Sequence, residues 1–127
     1  MKIKLKKLQQ PTHETCCQTC LALIAKKTIR DIVDLTNKSR GMFLCHVIEV
    51  LKNFKIKHDK VRPSYGVLPK VKQALIQILN NKHKTSHLVI KKNNKIFDPW
   101  DGKIFNIKEY NKRHMKGKVY NRYIEIY

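Results

Sequence analysis

The chain has 127 residues, of which 42% are hydrophobic, with four glycines and four prolines. This length and composition suit one domain with a buried core, and they exclude a disordered, collagenous or linker-like chain. The 28 Lys and Arg residues against 9 Asp and Glu residues give a formal net charge of +19, which attracts acidic partners. We therefore expect a single basic domain spanning residues 1–127.

The first half of the chain has the apolar spacing of helices, in which residues at i, i+3, i+4 and i+7 share one face. Three stripes follow this spacing: Cys17, Cys20, Leu21 and Ile24; Ile29, Ile32 and Val33; and Leu44, Val47, Ile48 and Leu51. Thr28 and Asp31 resemble a capping box at the start of the second stripe. Three helices are therefore predicted before residue 54.

The second half of the chain has the pattern of strands. Strands are predicted at residues 56–61, 74–79, 87–90, 96–97, 104–107 and 119–127. Residues 74–79 also fit a helix opened by Pro69, whereas Asn93 and Asn94 predict a tight hairpin turn between two strands. Helices followed by strands predict an α+β fold.

No segment has the length of a membrane span, because the longest apolar stretch is residues 21–25. The basic first ten residues are not followed by the apolar region of a signal peptide. We therefore expect a cytoplasmic protein without a membrane partner. Three of the four cysteines lie within five positions, which is too close for a disulfide framework among themselves.

Cys16 is the candidate nucleophile. It lies in the predicted first turn of a helix, where free N–H groups and the helix dipole stabilise a thiolate. Gln10, six positions earlier, is placed to direct its side-chain amide to the same point. That amide and the backbone N–H of Cys16 together would bind an oxyanion.

A cysteine nucleophile needs a base, and the base needs an orienting partner. His87 is the only histidine that begins a strongly apolar strand, and Asp98 ends the next strand of the predicted hairpin. Strand pairing would bring Asp98 beside His87. Asp101 is an alternative orienting residue, although Asp101 and Gly102 have the character of a turn.

These motifs resemble the papain-like cysteine peptidases of the C39 and C39-like group. The resemblance rests on Gln10 and Cys16 at the start of an apolar helix, on His87 followed by Leu-Val-Ile, and on Asp98 followed by Pro. It extends from residue 10 to about residue 105. The group usually has glycine after the nucleophile, whereas this chain has Cys17.

The resemblance implies a papain-like fold, in which a helical half packs on an antiparallel sheet. It implies that Cys16 is the nucleophile, His87 the general base and acid, Asp98 the orienting residue and Gln10 the oxyanion donor. The spacing from Gln10 selects Cys16 over Cys17. The implied reaction is hydrolysis of a peptide or isopeptide bond in a protein or peptide substrate, without a cofactor. Deamidation and acyl transfer use the same machinery.

Two alternative hypotheses compete with a peptidase. A zinc site would use Cys17 and Cys20 with His13, Cys45 or His46, but Cys17 and Cys20 fit a core face better and Cys45 is expected to be structural too. A basic module that binds nucleic acid or an acidic partner without catalysis would explain the lysines, although no nucleic-acid motif is present. His13, His58, His83 and His114 are expected to be solvated.

Overall fold

The computed structural model describes residues 1–127, and three helices precede the sheet. They are α1 (Cys16–Ala25), α2 (Ile29–Thr36) and α3 (Leu44–Asn53). The predicted capping box of α2 is confirmed, because Thr28 and Asp31 exchange side-chain to backbone hydrogen bonds of 3.0 Å each. His46 has a similar structural role, since its Nδ1 accepts a hydrogen bond from Phe43 N at 3.1 Å at the start of α3.

Six antiparallel strands form one sheet in the order β1-β6-β2-β3-β4-β5. The strands are β1 (Arg62–Gly66), β2 (Gln73–Asn80), β3 (Thr85–Lys92), β4 (Lys95–Asp98), β5 (Lys103–Asn106) and β6 (Lys118–Glu125). The Asn hairpin is confirmed: Lys92 pairs with Lys95, and Asn93 adopts the left-handed conformation with φ 53°. The predicted α+β class is therefore confirmed.

Two strand predictions were wrong in position. Residues 56–61 contribute only an isolated bridge between His58 and Ile126, and the strand begins at Arg62 instead. Pro63 discourages a strand prediction, but β1 is an edge strand, and edge strands tolerate proline. The predicted strand at residues 104–107 ends at Asn106.

A fourth helix, α4 (Ile107–His114), follows β5 and was not predicted. Asn106 caps it by accepting a hydrogen bond from Lys108 N at 2.9 Å. Tyr110 is its only buried residue, so α4 lacks the repeated apolar spacing that marks a packed helix. No helix in the structure has the length and apolar character that crossing a bilayer requires.

The sheet has an apolar cluster on each side. The larger cluster joins α1, α2 and α3 to sheet residues that include Leu75, Leu88 and Phe97. The smaller cluster contains Tyr110 and Phe105 and is covered by α4. Packing against the larger cluster fixes α1 against β3, and this contact determines where Cys16 lies relative to the sheet.

Candidate active site

Cys16 is the first residue of α1 and is partly exposed. The N-cap residue Thr15 makes no side-chain hydrogen bond to the first turn. Instead, its hydroxyl donates to the carbonyl of Thr12 at 3.0 Å. The first-turn N–H groups of α1 are thus left without a side-chain acceptor at the helix end that favours a negative charge.

His87 and Asp98 lie together on adjacent strands. His87 Nε2 and Asp98 Oδ1 are 2.5 Å apart. The register explains this contact. Ile90 pairs with Phe97, and side chains alternate along each strand, so His87 and Asp98 both lie on the face opposite to Ile90 and Phe97. The β3–β4 hairpin, which turns at Asn93, therefore places the imidazole beside the carboxylate.

The imidazole also lies close to the thiol. Cys16 and His87 line the same cleft, and each lies close enough to shift the pKa of the other. Because Nε2 of His87 is already bonded to Asp98, the ring has Nδ1 for the sulfur. The structure thus brings Cys16 and His87 to one cleft and joins His87 to Asp98 by a hydrogen bond.

The electrostatics of this site favour an ion pair. The neighbouring Cys17 thiol and the His87 imidazole lower the pKa of Cys16 to about 4, although burial opposes the change. Burial also opposes a charged His87, but its hydrogen bond to Asp98 and the proximity of Cys16 prevail and raise the pKa of His87 to about 9. Thiolate and imidazolium therefore coexist around neutral pH, which is the reactive state of a cysteine nucleophile.

Asp98 has three hydrogen-bond donors around it. Besides His87, Trp100 N donates to its Oδ1 at 2.9 Å, and the Tyr110 hydroxyl donates to its Oδ2 at 2.7 Å. Burial would raise the pKa of Asp98, but these bonds and the His87 charge hold it below its usual value. Asp101 instead accepts a bond from Lys103 N in the following turn, so it is not the partner of His87.

The other two cysteines of α1 belong to the larger apolar cluster. Cys20 is fully buried, and its thiol donates to the carbonyl of Leu88 on β3 at 3.5 Å. Cys17 is also buried, lies 3.7 Å from the carbonyl oxygen of Met42, and contacts Cys16. Burial raises the pKa of Cys20, and the contact with Cys16 followed by burial raises that of Cys17.

Cys45 departs from expectation, because it is exposed on α3 and not part of the core. It lies one position after Leu44 and so falls off the stripe that Val47 and Leu51 continue. The remaining histidines also differ among themselves. His114 stacks on Tyr110 with ring centroids 5.0 Å apart, and His58 is half-buried, so neither is simply solvated.

Gln10 lies beside the loop that follows Asp98. Its backbone N–H donates to the carbonyl of Pro99 at 2.8 Å. Its side-chain Nε2 donates to the carbonyl of Thr12 at 2.7 Å, while Oε1 is buried without a partner. Because the amide donates to Thr12, the oxyanion role of Gln10 stays a prediction.

A cleft of about 330 Å³ opens beside Cys16. Its lining residues are His13, Glu14, Cys16, Cys17, Gly41, Met42, Leu44, Gln77, Thr85, Ser86, His87 and Leu88. Met42 and Leu44 form an apolar wall of this cleft, and Gln77, Thr85 and Ser86 of β2 and β3 supply polar lining. Gln18, which was not predicted, supports this wall: its Nε2 donates to the carbonyls of Lys38 and Arg40 at 3.0 and 2.6 Å.

Tyr110 is the second site residue that the sequence analysis missed, and its only sequence signal is the Asn106 cap that begins α4. No group of three or more His, Cys, Asp and Glu side chains is arranged to hold a metal ion. In comparisons with known proteins, no family model matches the chain and no curated protein matches it.

Proposed function

We propose that the protein is a papain-like cysteine peptidase that hydrolyses a peptide or isopeptide bond. The observation that carries this proposal is the His87 imidazole, which is hydrogen-bonded to the buried Asp98 carboxylate and shares an open cleft with Cys16. A structural thiol has no need of an imidazole held by a buried carboxylate. This arrangement supplies a nucleophile, a proton carrier and an orienting group in the order that acyl transfer requires.

The proposed reaction begins with attack of the Cys16 thiolate on the carbonyl carbon of the scissile bond. The carbonyl oxygen becomes an oxyanion, which the backbone N–H of Cys16 stabilises, joined by the amide of Gln10 once that amide turns from the Thr12 carbonyl. His87 then transfers its proton to the leaving amine, and a thioester remains on Cys16. Water, deprotonated by His87, attacks the thioester, releases the acid and restores the thiolate.

The arrangement of elements supports the same class. The nucleophile begins a helix that packs on an antiparallel sheet, and the His and Asp come from neighbouring strands of that sheet. This is the division between helical half and sheet that the resemblance to papain-like peptidases implies. With a side-chain amide as the substrate, the same site would be a deamidase. With an amine in place of water as the acceptor, it would be an acyltransferase.

The proposal is tested with two probes. Incubation with p-nitrophenyl acetate should acetylate Cys16, as intact-protein and peptide mass spectrometry would detect, and should then release acetate. Incubation with a library of proteome-derived peptides should produce new amino termini. Both outcomes should disappear in Cys16→Ala and persist in Cys45→Ala, the exposed-cysteine control. Acetylation without any cleaved peptide would favour a deamidase or acyltransferase, and no acetylation would refute the proposal.

The second candidate function is a basic binding module. The observation that favours it is a depression of about 670 Å³ at the far end of α1, lined by Lys26, Lys27, Lys55 and Lys57 and by no acidic residue. These lysines follow the C-termini of α1 and α3, however, where positive charge already complements the helix dipoles. Heparin binding that weakens steeply with salt and is unchanged in Cys16→Ala would support this role.

A further inference from the structure

The Tyr110 hydroxyl is the only group that hydrogen-bonds Oδ2 of Asp98. The two atoms are 2.7 Å apart, and both residues are buried, with Asp98 6% and Tyr110 2% exposed. Oδ1 of Asp98, in contrast, is shared by His87 and Trp100 N. Oδ1 therefore contacts the imidazole, whereas Oδ2 has its only hydrogen bond from a residue of α4.

We propose that Tyr110 is a positioning residue for the proposed reaction: its hydroxyl holds Asp98 in the orientation that keeps His87 directed at Cys16. The inference rests on the proposed function, because it assigns Tyr110 a part in that chemistry. Tyr110 does not reach the thiol itself. It acts through Asp98, which in turn orients the imidazole.

Tyr110 is well held for this purpose. Its ring lies 5.0 Å from His114 in a stacked arrangement and 5.5 Å from Phe105, measured between centroids. Burial and the neighbouring charge of Asp98 raise the pKa of Tyr110, so its hydroxyl keeps its proton and remains a donor. A buried carboxylate oxygen that lost this donor would carry an uncompensated desolvation cost.

The charged and titratable groups around Asp98 come from several elements. His87 on β3 and Tyr110 on α4 contact the carboxylate, and Cys20 on α1 experiences its charge. Asp101 and Tyr120 lie near the Tyr110 hydroxyl. Only His87 and Tyr110 donate side-chain hydrogen bonds to Asp98, so removal of the Tyr110 hydroxyl changes the immediate environment of the carboxylate without removing the imidazole.

The test compares Tyr110→Phe with Tyr120→Phe. Tyr120 belongs to the same apolar cluster, and its hydroxyl donates to Asn111 Oδ1 at 2.6 Å, not to Asp98. The readout is the rate at which iodoacetamide alkylates Cys16 as a function of pH, which needs no substrate. In Tyr110→Phe the rise of this rate should move to higher pH, and turnover of p-nitrophenyl acetate should fall about tenfold, the scale seen when the support of a site residue is lost.

Tyr120→Phe should titrate like the unaltered protein. In an Asp98→Asn background, Tyr110→Phe should have no further effect on either readout, because the hydroxyl acts through the carboxylate. Identical titrations of Tyr110→Phe and Tyr120→Phe would overturn the inference while leaving the proposed function intact. A Cys16 without enhanced reactivity in the unaltered protein would instead refute the proposed function.

A variant that keeps both the ring and the hydroxyl covers the case in which Tyr110→Phe does not fold. Fluorotyrosine at position 110 has a more acidic hydroxyl and donates a stronger hydrogen bond to Asp98. If the hydroxyl acts through Asp98, the alkylation profile of Cys16 should then differ from that of the unaltered protein. An unmoved profile in a folded protein would show that Tyr110 only packs.

Discussion

The backbone N–H of Gln10 donates to the carbonyl of Pro99 at 2.8 Å, which ties the segment before the nucleophile to the residue after Asp98. Gln9 adds a second bond from its side chain to the carbonyl of Trp100 at 3.3 Å. The segment that leads to Cys16 and the loop that carries the orienting carboxylate are therefore fastened together.

Gly102 should be required at the junction. Its φ is +71°, and a Cβ there would lie 2.7 Å from the backbone nitrogen of Gln9. Gly117 has a similar φ of +73° but open space around it, so it is the matched control. We expect Gly117→Ala to lower the free energy of unfolding by about 1 kcal/mol and Gly102→Ala by about 3 kcal/mol, measured by urea denaturation. Equal losses would show that the two segments separate without cost.

Gln10 should affect turnover more than thiol reactivity. If its amide turns from Thr12 to the oxyanion, Gln10→Ala should lower the turnover of p-nitrophenyl acetate on the order of 10² to 10³-fold. The alkylation rate of Cys16 should change little, because no oxyanion forms in that reaction. The exposed Gln9→Ala is the control. If both variants retain full turnover, Gln10 only anchors the loop.

Cys16 should be the hyper-reactive thiol of the four. Its contacts with Cys17 and His87 hold it as a thiolate, whereas Cys17 and Cys20 are buried thiols with raised pKa values. Brief alkylation at about pH 6 followed by peptide mapping should label Cys16 first. His87→Ala should reduce that labelling about a hundredfold, because the thiolate loses its counter-ion. Preferential labelling of exposed Cys45 in the unaltered protein would contradict this assignment.

Hydrolysis should have a bell-shaped dependence on pH. Below about pH 4 the Cys16 thiol is protonated and does not attack, and above about pH 9 His87 has lost the proton that the leaving amine needs. Activity should therefore rise through the pKa of Cys16 and fall through that of His87. Steady-state rates across this range provide the measurement. A profile that rises with a single inflection near pH 9 would show that no ion pair forms.

Cys17→Gly introduces the glycine that is usual after the nucleophile in the peptidase group that the sequence resembles, and it should weaken the Cys16 thiolate. The Cys17 thiol is the largest cause of the lowered pKa of Cys16. Its loss should raise the pH at which alkylation begins by about one unit, which corresponds to about 1.4 kcal/mol. Cys17→Ser keeps a donor and is expected to retain more of the low-pH reactivity. Identical profiles of the two variants would assign the effect to cleft shape.

Local patterns in the sequence predicted most of the site. The stripe on α1 separated Cys16 from the buried Cys17 and Cys20, and the Asn hairpin was enough to place Asp98 near His87. These relationships depend on helix and strand periods and on one short turn. Their geometry needs no knowledge of distant packing.

What the sequence did not predict depends on tertiary contacts. Tyr110 reaches Asp98 because α4 packs on the second face of the sheet, and a helix with one buried residue has no visible stripe. Gln18 looks like any polar helix residue until the loop of Lys38 and Arg40 folds over it. The position of β1 likewise follows from its pairing with β6, not from its own residues.

The Cys20 thiol donates to the Leu88 carbonyl, so α1 packs against β3. The contact lies on the part of β3 that continues past the end of its partner strand β4 at Asp98. During synthesis the helix with the nucleophile emerges long before the hairpin that activates it. A nascent chain that stops short of residue 98 has a thiol but no imidazole and carboxylate pair beside it. The order of synthesis therefore delays the proposed reactive state of Cys16 until the hairpin that carries His87 and Asp98 has formed.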